Sequence, residues 1–190
     1  MSEYRLEMRG VSKSFPGVKA LDNIHLNVRP GSVHALMGEN GAGKSTLMKI
    51  LTGIYEKDGG TITYMGKEVE FKGPAASEKA GIAIVHQELN MMNDLTVAQN
   101  LFIGKECMKG MFIDDALMVE KAKALFDVLN IDINPAERIG ALTVGKQQMV
   151  EIAKAISGDA KIIIFDEPTA ALTDSEIEEL FKVINDLKKK

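Results

Sequence analysis

The chain has 190 residues, 45% hydrophobic, 5% aromatic and 26% charged, and 23 Lys plus Arg against 27 Asp plus Glu leave a formal charge of −4. That composition fits a globular chain long enough to bury a core of its own, and it excludes collagen, low-complexity disorder and a disulfide scaffold. No apolar run approaches the ~18 residues a membrane span needs, Met1 to Gly10 lacks the apolar stretch of a secretory leader, and mild acidity argues against a nucleic-acid partner. A cytosolic protein is expected. The single cysteine, Cys107, cannot form an internal bridge and reads as a small buried hydrophobe.

Strand-like and helix-like stretches alternate along the chain. Tyr4 to Met8, Ile24 to Val28 and Val33 to Met37 read as strands, with a tight turn at Arg29, Pro30 and Gly31. Lys44 to Leu51 reads as a helix, and Gly59 and Gly60 lead into two short strands around Ile62 and Val69. Pro74 opens a short helix ended near Gly81, before the apolar strand Ile82 to Val85. Between His86 and Leu142 the chain turns helical, with Met118, Ala122, Leu125, Phe126 and Leu129 at spacings of three and four. Met149, Ile152, Ala153 and Ile156 mark a further helix that Gly158 ends, and Lys161 to Phe165 follows as a strand. Thr173 and Glu176 form a capping box for a last helix with the stripe Ile177, Leu180, Phe181, Ile184 and Leu187.

Gly38-Glu39-Asn40-Gly41-Ala42-Gly43-Lys44-Ser45-Thr46 fits G-x-x-x-x-G-K-[ST] between an expected strand and an expected helix. Glycines let successive N–H groups curl around a phosphate, and the helix N-terminus adds a favourable dipole. Lys44 would neutralise the β and γ phosphates, and Ser45 would ligand Mg²⁺. A second motif, Ile162-Ile163-Ile164-Phe165-Asp166-Glu167, is an apolar strand ending in two carboxylates, and ligands of open α/β sheets bind at such ends. Asp166 would hold the metal, directly or through water, and Glu167 would orient or deprotonate the attacking water.

In this order the motifs resemble the ATP-binding cassette (ABC) ATPases, from about Leu6 to Lys190. The resemblance implies an α/β P-loop NTPase fold with a mostly parallel core sheet, an antiparallel β subdomain and a helical subdomain. It makes residues 1–190 one incomplete nucleotide-binding domain, with the helical subdomain near 87–145. Asp166-Glu167-Pro168-Thr169 is similar to the family's Walker B strand with its catalytic glutamate. Val85-His86-Gln87-Glu88 looks like its Q-loop, which implies that Gln87 reaches Mg²⁺ and the attacking water and couples nucleotide state to a membrane subunit. Phe15 falls where the family stacks an aromatic on adenine.

Leu142-Thr143-Val144-Gly145-Lys146 resembles the family's signature LSGGQ loosely, with Val144 in place of a glycine and Lys146 in place of glutamine. In the family these residues act in trans on the site of a second cassette. Ala170-Ala171-Leu172-Thr173 departs from the family's D-loop, with Thr173 where aspartate is common and available as a helix cap. Met91, Met92, Met108, Met111 and Met118 lie in the helical insert, as a small core or as an adaptable docking surface.

The runs Phe15 to Leu21, His34 to Thr46 and Val85 to Leu89 look like the ATPases of monosaccharide importers of the ribose and galactose type, in which two cassettes are fused. The resemblance implies ATP and Mg²⁺ as cofactors. As partners it implies a second cassette and transmembrane permease subunits with a sugar-binding protein, and it places the intact protein on the inner face of the cell membrane. A soluble ABC ATPase acting in translation or repair is the alternative. The family's switch histidine follows the helix after Walker B, whereas His25, His34 and His86 all precede it. The chain is therefore expected to lack the last strands of a cassette and to bind ATP more readily than it hydrolyses it.

Overall fold

The first sheet forms where apolar residues alternate along a strand that is paired on both edges. β1 (Leu6–Phe15) runs antiparallel to β2 (Val18–Val28), with Leu6 opposite Val28 and Met8 opposite Leu26. On its other edge β1 pairs with β3 (Gly59–Tyr64), Leu6 opposite Tyr64 and Met8 opposite Ile62, and β4 (Lys67–Glu68) completes the order β2-β1-β3-β4. Leu6, Met8, Val11, Leu21, Leu26, Ile62 and Tyr64 are buried. The expected antiparallel unit is thus present, with its first strand carried past a register shift between Met8 and Val11 to reach Phe15. The computed structural model describes residues 3–85, 91–158, 160–166, 168 and 172–189.

α1 (Lys44–Leu51) matches its expected bounds and buries Leu47, Ile50 and Leu51. α2 (Pro74–Lys79) starts with proline in its first turn, where the missing N–H costs nothing. The Ser77 hydroxyl donates to the Thr52 carbonyl (3.1 Å) and the Tyr64 hydroxyl to that of Ala80 (2.9 Å), which ties α2 to its neighbours.

Val33 to Met37 does not form the expected strand. Val33 is 62% exposed and Met37 90%, and among the described residues the run has no ladder partner. The physical reason is non-local: an apolar run becomes a buried strand only when other strands bond to its edges, and the described strands pair elsewhere.

β5 (Ile82–Val85) matches its expected bounds. Beyond it come α3 (Val97–Phe102), a hairpin of β6 (Met108–Lys109) and β7 (Phe112–Ile113), α4 (Asp115–Leu129), α5 (Val144–Ser157), β8 (Ile162–Phe165) and α6 (Asp174–Lys189). β5 and β8 pair, and the Asp166 N–H donates to the Val85 carbonyl (3.0 Å), so the carboxyl ends of the two strands lie together. Met118, Ala122, Phe126 and Leu129 of α4 pack with Met149, Val150, Ile152 and Ala153 of α5 and with Leu180 and Val183 of α6. Cys107 is free and buried in the same cluster. By contrast Phe181, expected in the α6 stripe, is 55% exposed. Leu180, Val183, Ile184 and Leu187 keep the three-and-four spacing of one face, and Phe181 sits about 100° round the helix from Leu180.

Asn100 fixes the segment ahead of α3. Its buried amide accepts from the Met92 N–H (2.9 Å) and donates to the carbonyls of Met92 (3.1 Å) and Thr96 (3.0 Å). The insert's methionines divide: Met118 is core, Met91 is partly buried, and Met92, Met108 and Met111 are exposed. Met1–Ile82 with Lys188–Lys190 forms one compact unit and Ala83–Leu187 a second.

Candidate functional site

In the first unit, residues 38–43 form a loop that curls into α1. The Ala42 N–H donates to the Glu39 carbonyl (3.1 Å), and Gly41 and Gly43 hold φ of 85° and 84°. Glycine at 43 is dictated twice over. Besides the left-handed backbone, a Cβ there would lie 2.5 Å from the Ala20 carbonyl oxygen and 2.7 Å from Leu21 Cδ2. The loop is therefore pressed against β2, with no room for a side chain. α1 begins at Lys44 with no side-chain cap, so its first-turn N–H groups are donors for an external acceptor. Lys44 folds back over the loop, its ammonium donating to the carbonyls of Gly38 (2.6 Å) and Glu39 (2.9 Å). Ser45 and Thr46 follow in the same turn. Together these groups make a cradle of backbone donors with one cation beside it, suited to a polyanion.

Phe15 ends β1 and is half-buried, at the turn before β2 as expected. Its ring meets that of Tyr55 edge-on, centroids 5.3 Å apart and planes at 71°. The Lys13 ammonium lies 5.7 Å from its centroid, held by Asp58 (2.7 Å). Asp58 also accepts from the Ser14 N–H (2.6 Å), and the Lys13 hydrogen bond, with this one, holds its carboxyl below the usual carboxylate range.

The second unit holds the remaining motifs. Asp166 follows β8 directly, beside the end of β5, as a carboxylate at a strand terminus. Val85, the first residue of the expected Q-loop, is therefore its neighbour. Gln87 and Glu167 lie outside the described residues, as do Thr169, Ala170 and Ala171. Leu142, Thr143, Val144, Gly145 and Lys146 span the start of α5, where the Thr143 hydroxyl caps the helix by accepting from the Lys146 N–H (3.3 Å).

A link that sequence reasoning missed joins this segment to α6. The Thr143 hydroxyl donates to Glu176 Oε1 (3.4 Å), while the other Glu176 oxygen accepts from the Thr173 N–H and hydroxyl, both at 2.9 Å. The capping box is thus formed, and its carboxylate also reaches the start of α5. Gly145 makes room for it, since a Cβ there would fall 1.9 Å from the carboxylate carbon.

The Thr173 N–H, with the Thr173 and Thr143 hydroxyls, holds the Glu176 carboxyl below its usual value of 4.5. A depressed folded value means the contact stabilises fully above that unfolded value and is lost as pH falls through the lower folded one. Glu176→Gln is expected to lower the thermal midpoint slightly at neutral pH, by a surface contribution under about 1 kcal/mol. The two proteins should converge in acid, once pH has fallen through the lowered folded value. A gap that persists unchanged into acid would mean the charge is irrelevant.

The model of the ABC transporter family matches residues 21–170, from β2 to beyond Asp166. The galactose/methyl galactoside import ATP-binding protein MglA of Salmonella typhimurium is 56% identical over 188 residues, and that of Escherichia coli K12 is 55% identical over the same number. The match covers 99% of this chain, and the chain spans 37% of the length of these curated relatives. Among solved structures, the ADP conformation of an ATP-binding cassette of an ABC transporter matches with a TM-score of 0.86 at 29% identity, over 99% of this chain and 78% of that one. A family match that runs through the glycine cradle, the Thr143-capped helix and the strand ending at Asp166 makes this chain a member of the ABC transporter family, folded as an ATP-binding cassette.

Proposed function

We propose that the chain is the Mg-ATP-binding cassette of a sugar importer, whose intact form hydrolyses ATP to drive a membrane permease. The observation that carries the reading is the cradle of residues 38–46, pressed on β2 at Gly43 and leading into an uncapped helix with Lys44 folded over it. Its support for sugar is the likeness to the galactose/methyl galactoside import ATP-binding proteins.

In this reading the N–H groups of Gly41 to Thr46 receive the phosphates. Lys44 exchanges its loop carbonyls for β and γ oxygens, a stronger, charge-assisted partner. Phe15 stacks on adenine, with Gly38, Glu39 and Asn40 shaping the near side of the loop. Magnesium takes a few protein oxygens alongside phosphate and water, and the Ser45 hydroxyl and Asp166 carboxylate are donors of that kind. When bound, the ion would neutralise the β and γ oxygens. Glu167 orients the attacking water and Gln87 relays nucleotide state toward the permease. Leu142 to Lys146, with Thr143 and the first-turn N–H groups of α5, serve a second cassette in trans. Residues 87–145 form the helical subdomain that meets the permease, within one nucleotide-binding domain that includes residues 1–190.

Purification of the full-length protein from membranes tests the reading. Co-purification with a multi-spanning permease, and ATPase activity stimulated by a sugar-loaded binding protein, are expected. Stable association with ribosomes instead would overturn it.

A further inference from the structure

Phe15 does not stand alone, and what holds it leads back to the phosphate cradle. Tyr55, four residues beyond the end of α1, presents the edge-on contact to its ring. Tyr55 is in turn bound to α1. Its N–H and that of Ile54 both donate to the Lys49 carbonyl, at 3.1 and 2.8 Å, and the Lys49 ammonium lies 5.5 Å from the Tyr55 ring centroid. A short path of contacts therefore runs from the helix that opens on the cradle, through Lys49 and Tyr55, to Phe15.

We propose that Tyr55 is a positioning residue for base recognition. Bound to α1 and edge-on to Phe15, it sets the spacing between the phosphate cradle and the ring that stacks on the base. The inference rests on the reading of Phe15 as the adenine-stacking residue. An aromatic surface adds affinity only when it is already in place, because ordering it on binding consumes the gain. Tyr55 supplies that prior order, and its contribution belongs to the base alone.

The test compares dissociation constants of ATP and of inorganic tripolyphosphate, each with Mg²⁺, for the wild-type chain, Phe15→Ala, Tyr55→Ala, Tyr55→Leu and Tyr55→Phe. Tyr55→Ala is expected to weaken ATP roughly 2- to 10-fold and to leave tripolyphosphate unchanged. Tyr55→Leu, which keeps bulk without a ring, should behave alike and covers the case of an alanine variant that fails to fold. Tyr55→Phe should retain wild-type affinity for both ligands. Equal weakening of ATP and tripolyphosphate would overturn the inference, because Tyr55 would then merely support α1. Unaltered ATP binding in Tyr55→Ala and Tyr55→Leu, beside a selective loss in Phe15→Ala, would overturn it while leaving the stacking reading intact. Unaltered ATP binding in Phe15→Ala would remove the stacking reading itself, and the inference with it.

Discussion

Lys44→Ala is expected to abolish measurable ATP binding while the chain stays folded. The Lys44 ammonium already folds back over the loop, donating to the carbonyls of Gly38 at 2.6 Å and Glu39 at 2.9 Å, so its charge lies beside the loop that would hold the phosphates. Charge-assisted hydrogen bonds contribute about 1.5–3 kcal/mol each. Two of them lost to a triphosphate amount to a weakening on the order of 10²- to 10⁴-fold. Alanine is also a strong helix former, and Lys44 is the first residue of α1, so the fold has little to lose. Calorimetric titration of both proteins, with circular dichroism to establish folding, checks the result. A folded Lys44→Ala protein with wild-type affinity would remove Lys44 from the site.

Gly43→Ala produces the other large effect, by a different route. At φ of 84° an L side chain costs about 1–2 kcal/mol in the backbone alone. The added Cβ also has nowhere to go. Leu21 is a side chain and can shift, but the Ala20 carbonyl 2.5 Å away is backbone inside β2. Relief would require moving the loop off the strand, and overpacking of this kind costs about 1–3 kcal/mol more. Gly43→Ala should therefore lower both stability and ATP affinity, whereas Lys44→Ala lowers affinity alone. Thermal unfolding beside the same titration separates them, and a Gly43→Ala protein of unchanged midpoint would contradict the close packing described.

What could be read from the sequence was what local chemistry encodes. Gly38 to Thr46 was legible because the glycines, the lysine and the hydroxyls are consecutive, and α1 takes its expected bounds. The capping box of Thr173 and Glu176 was legible because its partners are three residues apart. The run Val33 to Met37 was misread because its five residues carry no record of which strands bond to their edges. The hairpin of β6 and β7 escaped the helical reading of the insert, although Gly110, with φ of 66°, stands between Met108-Lys109 and Phe112-Ile113 as a turn residue would. Tyr55 and the link from Glu176 to Thr143 left no local mark at all. Phe15 and Tyr55 are 40 positions apart in sequence and Thr143 and Glu176 are 33 apart, so only folding brings them together.

The cradle of residues 38–46 is the centre of the account, and titration of Mg-ATP into the 190-residue chain tests it most directly. The account predicts saturable binding of one nucleotide per chain, competed by tripolyphosphate. A folded chain that gives no saturable binding at millimolar Mg-ATP would contradict it.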